Sequence, residues 1–160
     1  MRKIGFLWSI IWLLYSCQSD VVYTKYQTID KAEWTPNQVV IFEIEMQDSL
    51  QVYDVFINLR NNKEYGFSNL FLITQMTFPN LTSVVDTLEY EMTDANGRFL
   101  GSGFSDTKEN KLFYKENVRF HQAGTYLFQV KQAMRKRNEV AGLDPLKGIT
   151  DVGISIEKIK

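Results

Sequence analysis

The chain has 160 residues, and its charges nearly balance, with 18 lysines and arginines against 19 aspartates and glutamates. This length suffices for one domain with a substantial hydrophobic core, and the lack of a basic stripe argues against nucleic-acid binding. Aromatic residues make up 14% of the chain and are mostly Phe and Tyr, a composition that favours strands over helices.

The N terminus has the features of an export signal. Arg2 and Lys3 precede residues 4–14, an uncharged apolar run that is too short to span a bilayer, which needs about 20 residues. Leu14-Tyr15-Ser16-Cys17 then resembles a lipobox, the site at which a signal peptidase cuts before a lipidated cysteine, although Tyr15 is bulkier than the usual residue. We therefore predict a lipoprotein signal peptide over residues 1–16.

Cys17 is the only cysteine of the chain, so it cannot form an internal disulfide bond. We predict that it carries a diacylglyceryl group and an N-acyl chain such as palmitate, because two or more chains anchor a protein stably in a membrane. The alternative is a secreted protein cut near Ser16. Gln18 stands where an Asp would retain a lipoprotein at the inner membrane, so the outer membrane is the predicted location.

After cleavage, residues 17–34 are predicted to form a lipid-anchored leader or spacer with one short strand at 21–26. Residues 35–160 are predicted to form the folded domain. The mature chain would keep sixteen basic residues against nineteen acidic ones, a net charge near −3.

Alternation of apolar and polar residues predicts strands with one buried face through most of this domain. Residues 70–78 are almost continuously apolar, which predicts a strand buried on both faces. Asp94-Ala95-Asn96-Gly97 predicts a turn that joins residues 85–93 and 99–104 in a hairpin. The other strands are predicted at 40–46, 53–59, 113–120, 125–134 and 152–157.

About eight strands without a long amphipathic helix predict an all-β fold. The expected architecture is an antiparallel β-sandwich of the immunoglobulin-like or jelly-roll-like type. A closed barrel is the alternative, because sequence periodicity does not separate the two.

The sequence offers little for catalysis. His121 is the only histidine and lies at a predicted strand-to-turn junction, and the sequence contains none of the common nucleophile, phosphate-loop or zinc motifs. Glu89 and Glu91 lie about 7 Å apart along one strand face, but a solvated face explains them better than a carboxylate pair. We therefore predict no catalytic residue, no metal site and no cofactor, and hence a protein that is not an enzyme.

Two segments are candidates for contact with a partner or with lipid head groups. Arg135, Lys136 and Arg137 form the one dense basic cluster, which suits head groups or an acidic partner. The aromatic residues Tyr65, Phe67 and Phe71 could stack on sugar rings or contact a partner, or they could pack on the core.

Several segments together resemble the GldH family of gliding-motility lipoproteins of the Bacteroidetes. The resemblance covers nearly the whole mature chain, and its segments are Leu59-Arg60-Asn61, Tyr65-Gly66-Phe67-Ser68-Asn69-Leu70-Phe71-Leu72, Asp86-Thr87-Leu88-Glu89-Tyr90, Gly97-Arg98-Phe99-Leu100-Gly101, Gly124-Thr125-Tyr126, Gln132-Ala133-Met134-Arg135 and Gly148-Ile149-Thr150-Asp151-Val152-Gly153.

The resemblance implies a non-catalytic lipoprotein of the cell envelope. Its implied partners are other envelope proteins of the gliding machinery, which is linked to type IX secretion, and the membrane lipid that holds Cys17. The alternative hypothesis is a glycan-binding surface lipoprotein, which rests on the aromatic content and on the many carbohydrate-binding modules among β-sandwiches.

Overall fold

The computed structural model describes residues 20–47, 50–103 and 105–159, so the predicted signal peptide and Cys17 lie outside the described residues. The described part contains one short 3-10 turn at Asp30–Ala32. Its strands are β1 (Val21–Thr28), β2 (Glu33–Trp34), β3 (Val40–Met46), β4 (Tyr53–Asn61), β5 (Asn69–Thr77), β6 (Ser83–Glu91), β7 (Lys108–Val118), β8 (Gly124–Gln132), β9 (Leu146–Lys147) and β10 (Ile149–Lys158).

The longer strands form two four-stranded sheets. The first sheet has the order β1-β10-β4-β7 and the second has the order β3-β8-β5-β6, while β2 and β9 pair as a short separate ribbon. All of these pairings are antiparallel. The predicted antiparallel β-sandwich is confirmed, with two separate sheets rather than one sheet closed on itself.

The core lies between the inner faces of the two sheets. Strand β3 shows the pattern most clearly, because its alternate residues from Val40 to Met46 are buried and the residues between them are exposed. Strand β8 pairs with it in register, and the rings of Phe42 and Phe128 stack with their centroids 6.4 Å apart. A two-residue period therefore gives each strand one apolar face, and burying those faces drives the sheets together.

The prediction that residues 70–78 are buried on both faces is wrong. In β5 the residues from Leu70 to Met76 that point inward are buried, but Phe71, Ile73 and Gln75 are only half-buried. The apolar run misled because no further layer formed by the described residues buries the outer face of β5.

The predicted hairpin between residues 85–93 and 99–104 is present only next to its turn, where the Asp94 N–H donates to the Arg98 carbonyl and the Leu100 N–H donates to the Met92 carbonyl. Strand β6 pairs along its whole length with β5, and the residues after the turn contribute only isolated bridges, Thr93 with Phe99 and Ser102 with Glu109. The turn itself is present, with Gly97 at a φ of 78°. Strand β6 is the edge strand of the second sheet, and beyond the bridge at Phe99 the chain leads to β7, where Ser102 bridges Glu109.

The segment expected to be a leader contributes directly to the sandwich. Strand β1 is longer than the predicted 21–26 and pairs with β10 from Val21 to Thr28, so it is the edge strand of the first sheet. The folded domain therefore includes residues well before 35.

Side chains bridge the two sheets at both edges. The Tyr23 hydroxyl of β1 donates to the Glu43 carbonyl of β3 over 3.0 Å, and the Tyr90 hydroxyl of β6 donates to the Phe113 carbonyl of β7 over 2.8 Å. These carbonyls belong to edge strands, whose open backbone groups would otherwise attract an added strand. At these positions the edges are occupied, so the loops are better placed to meet partners.

The two ends of the sandwich differ. The N-terminal end carries Asp20, whose carbonyl accepts a hydrogen bond from the Lys158 N–H over 2.8 Å, together with the short connections 47–52, 78–82 and 119–123. The long-loop end carries the connections 29–39, 62–68, 92–107 and 133–148. Strands of nine or ten residues separate the two ends by about 30 Å.

Candidate interaction surface

The long-loop end holds a cleft of about 520 Å³ between the connections 62–68 and 133–148. Its walls combine apolar side chains with charges of both signs. The apolar, acidic and basic side chains are Phe67, Leu143, Pro145, Glu64, Glu139, Asp144, Lys136 and Lys147.

One wall of the cleft is formed by residues 62–68, and its backbone packs against Gly148. The Asn62 N–H donates to the Gly148 carbonyl over 2.9 Å, and the Tyr65 N–H donates back to the Asn62 carbonyl over 3.2 Å. Gly148 has a φ of 89°, and a Cβ at this position would lie 2.1 Å from the Tyr65 nitrogen. Only glycine allows the two backbones to approach this closely.

Tyr65 anchors the same wall from inside. Its side chain is 3% exposed, its hydroxyl donates to the Asn69 carbonyl over 2.6 Å, and burial raises its pKa far above the usual value. Its ring packs edge-on against Phe67, with centroids 5.9 Å apart. Of these two predicted contact residues, Tyr65 belongs to the core, and half-buried Phe67 reaches the cleft.

Gln132 holds the other wall of the cleft, which is formed by residues 133–148. It is buried, its amide N–H donates to the Leu143 carbonyl over 2.7 Å, and its amide oxygen accepts from the Met134 N–H over 2.8 Å. A backbone bond from the Leu143 N–H to the Met134 carbonyl, 2.8 Å long, closes the loop on itself. One buried amide thus fixes both ends of the segment that carries the basic cluster.

The structure brings the predicted contact segments to one end of the molecule. Lys136 and Phe67 line the same cleft, and Arg135 and Phe71 line an adjoining depression on the outer face of the second sheet. Arg137 is exposed on the same loop. The sequence named both segments but gave no reason to place them side by side.

A polar network on the outer face of the first sheet was missed in the sequence. The Tyr26 hydroxyl donates to the Glu109 carboxylate over 2.8 Å, and the Arg60 Nε donates to the same carboxylate over 3.1 Å. The guanidinium carbon of Arg60 also lies 4.4 Å from the Tyr26 ring centroid. Burial, reinforced by Glu109, raises the pKa of Tyr26 to about 12.

The other polar residues considered in the sequence either lie outside the cleft or form hydrogen bonds with nearby backbone groups. His121 is exposed at the N-terminal end, whereas Glu89 and Glu91 are exposed on β6. The Asp94 carboxylate accepts the N–H groups of Asn96 and Arg98, each over 2.9 Å, which is a turn role.

Across the described ranges, no group of three or more His, Cys, Asp or Glu side chains is placed to hold a metal ion. No helix among these same residues is long and apolar enough to cross a bilayer.

Comparison with known proteins gives consistent matches. A family model described as GldH lipoprotein matches residues 21–156. The chain is 52% identical over 153 residues to the gliding motility lipoprotein GldH homolog of Christiangramia forsetii, covering 96% of this chain and 93% of the relative. It is 42% identical over 158 residues to the gliding motility lipoprotein GldH of Flavobacterium johnsoniae, covering 99% and 98%.

Solved structures give only a distant likeness. The VP2 subviral particle of infectious bursal disease virus is 11% identical, with a TM-score of 0.37, over 87% of this chain and 33% of the viral chain. A likeness at this level carries no argument.

The fold and the site define this protein as a β-sandwich whose long connections are held in place at one end. In proteins of this class, loops on a rigid scaffold commonly contain the binding residues. The sequence matches specify it further. The chain belongs to the GldH lipoprotein family, and the resemblance seen in the sequence is confirmed.

Proposed function

We propose that this protein is a non-catalytic cell-envelope lipoprotein that supports the gliding-motility apparatus, which is linked to type IX secretion. Its relatives at 52% and 42% identity are named gliding motility lipoproteins over nearly the whole chain length. In this proposal, lipid on Cys17 anchors the protein in the outer membrane, and the long-loop end binds a partner protein. The observation that carries the proposal is the position of the cleft at the end opposite to the N terminus.

The anchor and the cleft are separated by the length of the sandwich. Cys17 lies only three residues before Asp20, a distance of at most about 11 Å along an extended chain. The cleft is about 30 Å further on, at the other end of the strands. A lipid on Cys17 therefore holds the N-terminal end at the membrane and presents the cleft away from it.

The basic cluster beside the cleft suits an acidic segment of a partner protein. Lys136 lines the cleft, Arg135 lines the adjoining depression and Arg137 is exposed on the same loop, while Phe67 supplies apolar contact area. Because the basic cluster is at the end remote from the anchor, a partner protein is a better match for it than the head groups of the anchoring membrane. Charges at the rim of such a site steer association and set specificity.

The glycan-binding alternative has less support. It depends on free aromatic faces, but the Tyr65 ring is buried and Phe67 and Phe71 are half-buried against the core. A glycan array probed with the protein tests it directly, since sugar binding at millimolar concentration would favour this alternative.

The anchor is tested by Cys17→Ala. This substitution is expected to release the protein from the membrane fraction, and a Ser19→Ala variant, which leaves the cysteine intact, should stay bound. Detergent partitioning of the Cys17→Ala protein equal to that of the unchanged protein would refute lipid anchoring.

The interaction role is tested in cells that carry only a variant copy of the gene. Deletion is expected to abolish surface spreading. Lys136→Glu is expected to reduce spreading at unchanged protein level, because it reverses a charge in the cleft. Lys25→Glu, an exposed change on β1 outside the cleft, is the matched control. A photo-cross-linker at position 136 should then capture a defined envelope protein, and normal spreading of the deletion strain would overturn the proposal.

A further inference from the structure

Two leucines at the N-terminal end are exposed far beyond what the fold requires. Leu50 is 88% exposed in the connection between β3 and β4, and Leu81 is 85% exposed in the connection between β5 and β6. Among the described residues, Val140 is comparably exposed at 89%, but it lies at the long-loop end. The leucines therefore place two large apolar side chains at the end from which the chain leads to Cys17.

Leu81 is also unusual in its backbone. Its φ is 67°, in the left-handed region that favours glycine and asparagine and strains a residue with a Cβ. The turn fixes this conformation, because the Leu81 N–H donates to the Phe78 carbonyl over 2.9 Å and the Asn80 side-chain oxygen accepts from the Thr82 N–H over 3.0 Å. A leucine here gains no packing within the described chain, which points to a contact outside it.

The turn is held rigidly beside the start of the mature chain. Ring contacts run from Phe78 to Tyr126, from Tyr126 to Phe120 and from Phe120 to Tyr53, with centroids 5.7, 5.0 and 5.6 Å apart. Tyr53 in turn pairs with Lys158, whose N–H binds the Asp20 carbonyl. The exposed leucine and the N terminus thus belong to one packed end of the sandwich.

We propose that the N-terminal end is a membrane-contacting surface, on which Leu50 and Leu81 insert into the interface of the bilayer that holds the lipid anchor. Arg119 lines a shallow cavity of about 280 Å³ together with Asn80 and Thr82, and its guanidinium faces the lipid phosphates in this arrangement. The inference rests on the lipid anchor at Cys17 of the proposed function. It adds a defined orientation. The anchor, Leu50 and Leu81 hold one end of the sandwich at the membrane, so the cleft at the opposite end faces away from it.

The short tether keeps the N-terminal end beside the bilayer once Cys17 is lipidated. Three residues allow at most about 11 Å between the anchored cysteine and Asp20, so the N-terminal end cannot move far from the lipid surface. Apolar side chains held at that distance gain free energy by leaving water. Each inserted leucine is expected to strengthen lipid contact by about tenfold.

The test uses the full lipidated protein in vesicles of phosphatidylethanolamine and phosphatidylglycerol. Leu81→Cys, Leu50→Cys and Val140→Cys are labelled in turn with an environment-sensitive fluorophore. Cys17 is the only natural cysteine, and in the lipidated protein its sulfur is blocked, so each new thiol is the single labelling site. Val140 is the matched control, being equally exposed at the other end.

The expected result is blue-shifted emission and strong quenching by nitroxide-labelled lipid at positions 50 and 81, with aqueous emission at position 140. Vesicle flotation is measured on the same samples. Protein that floats but shows the same aqueous emission at positions 50, 81 and 140 would overturn the membrane-contacting surface while leaving the anchor intact. Protein that fails to float, or whose unsubstituted form reacts with the fluorophore, would instead overturn the lipid anchor.

Discussion

Gly148→Ala is the sharpest test of how the cleft is built. An added Cβ would lie 2.1 Å from the Tyr65 nitrogen, 2.6 Å from the Tyr65 Cα and 2.7 Å from the Glu64 carbonyl carbon. These are backbone atoms, which cannot rotate away as the end of a flexible side chain would. The backbone of Gly148 also has a φ of 89°, which alanine adopts only with strain.

The expected loss of stability follows from these two terms. Left-handed backbone costs alanine roughly 1–2 kcal/mol, and overpacking against fixed atoms typically costs about 1–3 kcal/mol. Replacing glycine also restricts the unfolded chain, which returns about 0.4–1 kcal/mol. We therefore expect Gly148→Ala to lower the free energy of unfolding by about 1–5 kcal/mol.

Substitutions at two other glycines separate the contribution of backbone strain from that of overpacking. Gly97 has a φ of 78° but no atom within 4 Å of an added Cβ, so Gly97→Ala measures the backbone strain alone. Gly66 has neither feature and lies in the same cleft wall as Tyr65, so Gly66→Ala should leave stability nearly unchanged. Urea denaturation of the mature chain measures all three variants. A loss for Gly148→Ala no larger than that for Gly97→Ala would refute the close backbone approach.

Three further predictions concern buried polar groups. Ser155→Ala should be neutral or raise the unfolding free energy by about 1 kcal/mol in urea denaturation, because the buried Ser155 hydroxyl has no hydrogen-bond partner among the residues that the structure describes; a loss above 1 kcal/mol would contradict this expectation. Gln132→Leu should cost about 2–4 kcal/mol in the same assay, because it leaves two backbone groups of the cleft wall unpaired, and Gln129→Leu on the outer face is the control. Burial would raise the pKa of Asp86, but hydrogen bonds from Lys115 and Tyr114, each under 3 Å, outweigh it and lower that pKa. The ionised form therefore stabilises the fold above the ordinary value of 3.8, and this contribution disappears as the pH falls through the lower folded value. Asp86→Asn should accordingly be less stable than the unchanged protein at pH 7, with the difference in unfolding free energy shrinking as the pH falls below 3.8, and a difference independent of pH would contradict the ion pair.

The sequence alone was informative wherever the signal was local. Alternation along 40–46 and 125–134 predicted β3 and β8 almost to the residue, because a strand with one buried face has a period of two. It also predicted the turn at Asp94, whose carboxylate caps nearby N–H groups. The family resemblance was likewise readable, since it depends only on the order and spacing of residues.

Other features depended on pairing between distant segments, which no local pattern encodes. Strand β1 belongs to the first sheet because it pairs with β10, which lies more than 120 residues later in the chain, and β6 pairs along its length with β5 rather than with residues 99–103. The network of Tyr26, Arg60 and Glu109 exists only because the register of four strands places them on one face.

The sequence by itself determined an all-β chain with one cysteine, near its N terminus, and it predicted an export signal and two segments suited to binding. Only the tertiary structure decided that those segments meet in one cleft and that Leu50 and Leu81 share the opposite end with the N terminus. The physical reason is that hydrophobic periodicity specifies which face of a strand is buried, whereas the choice of neighbour and register is made by packing between faces far apart in the chain.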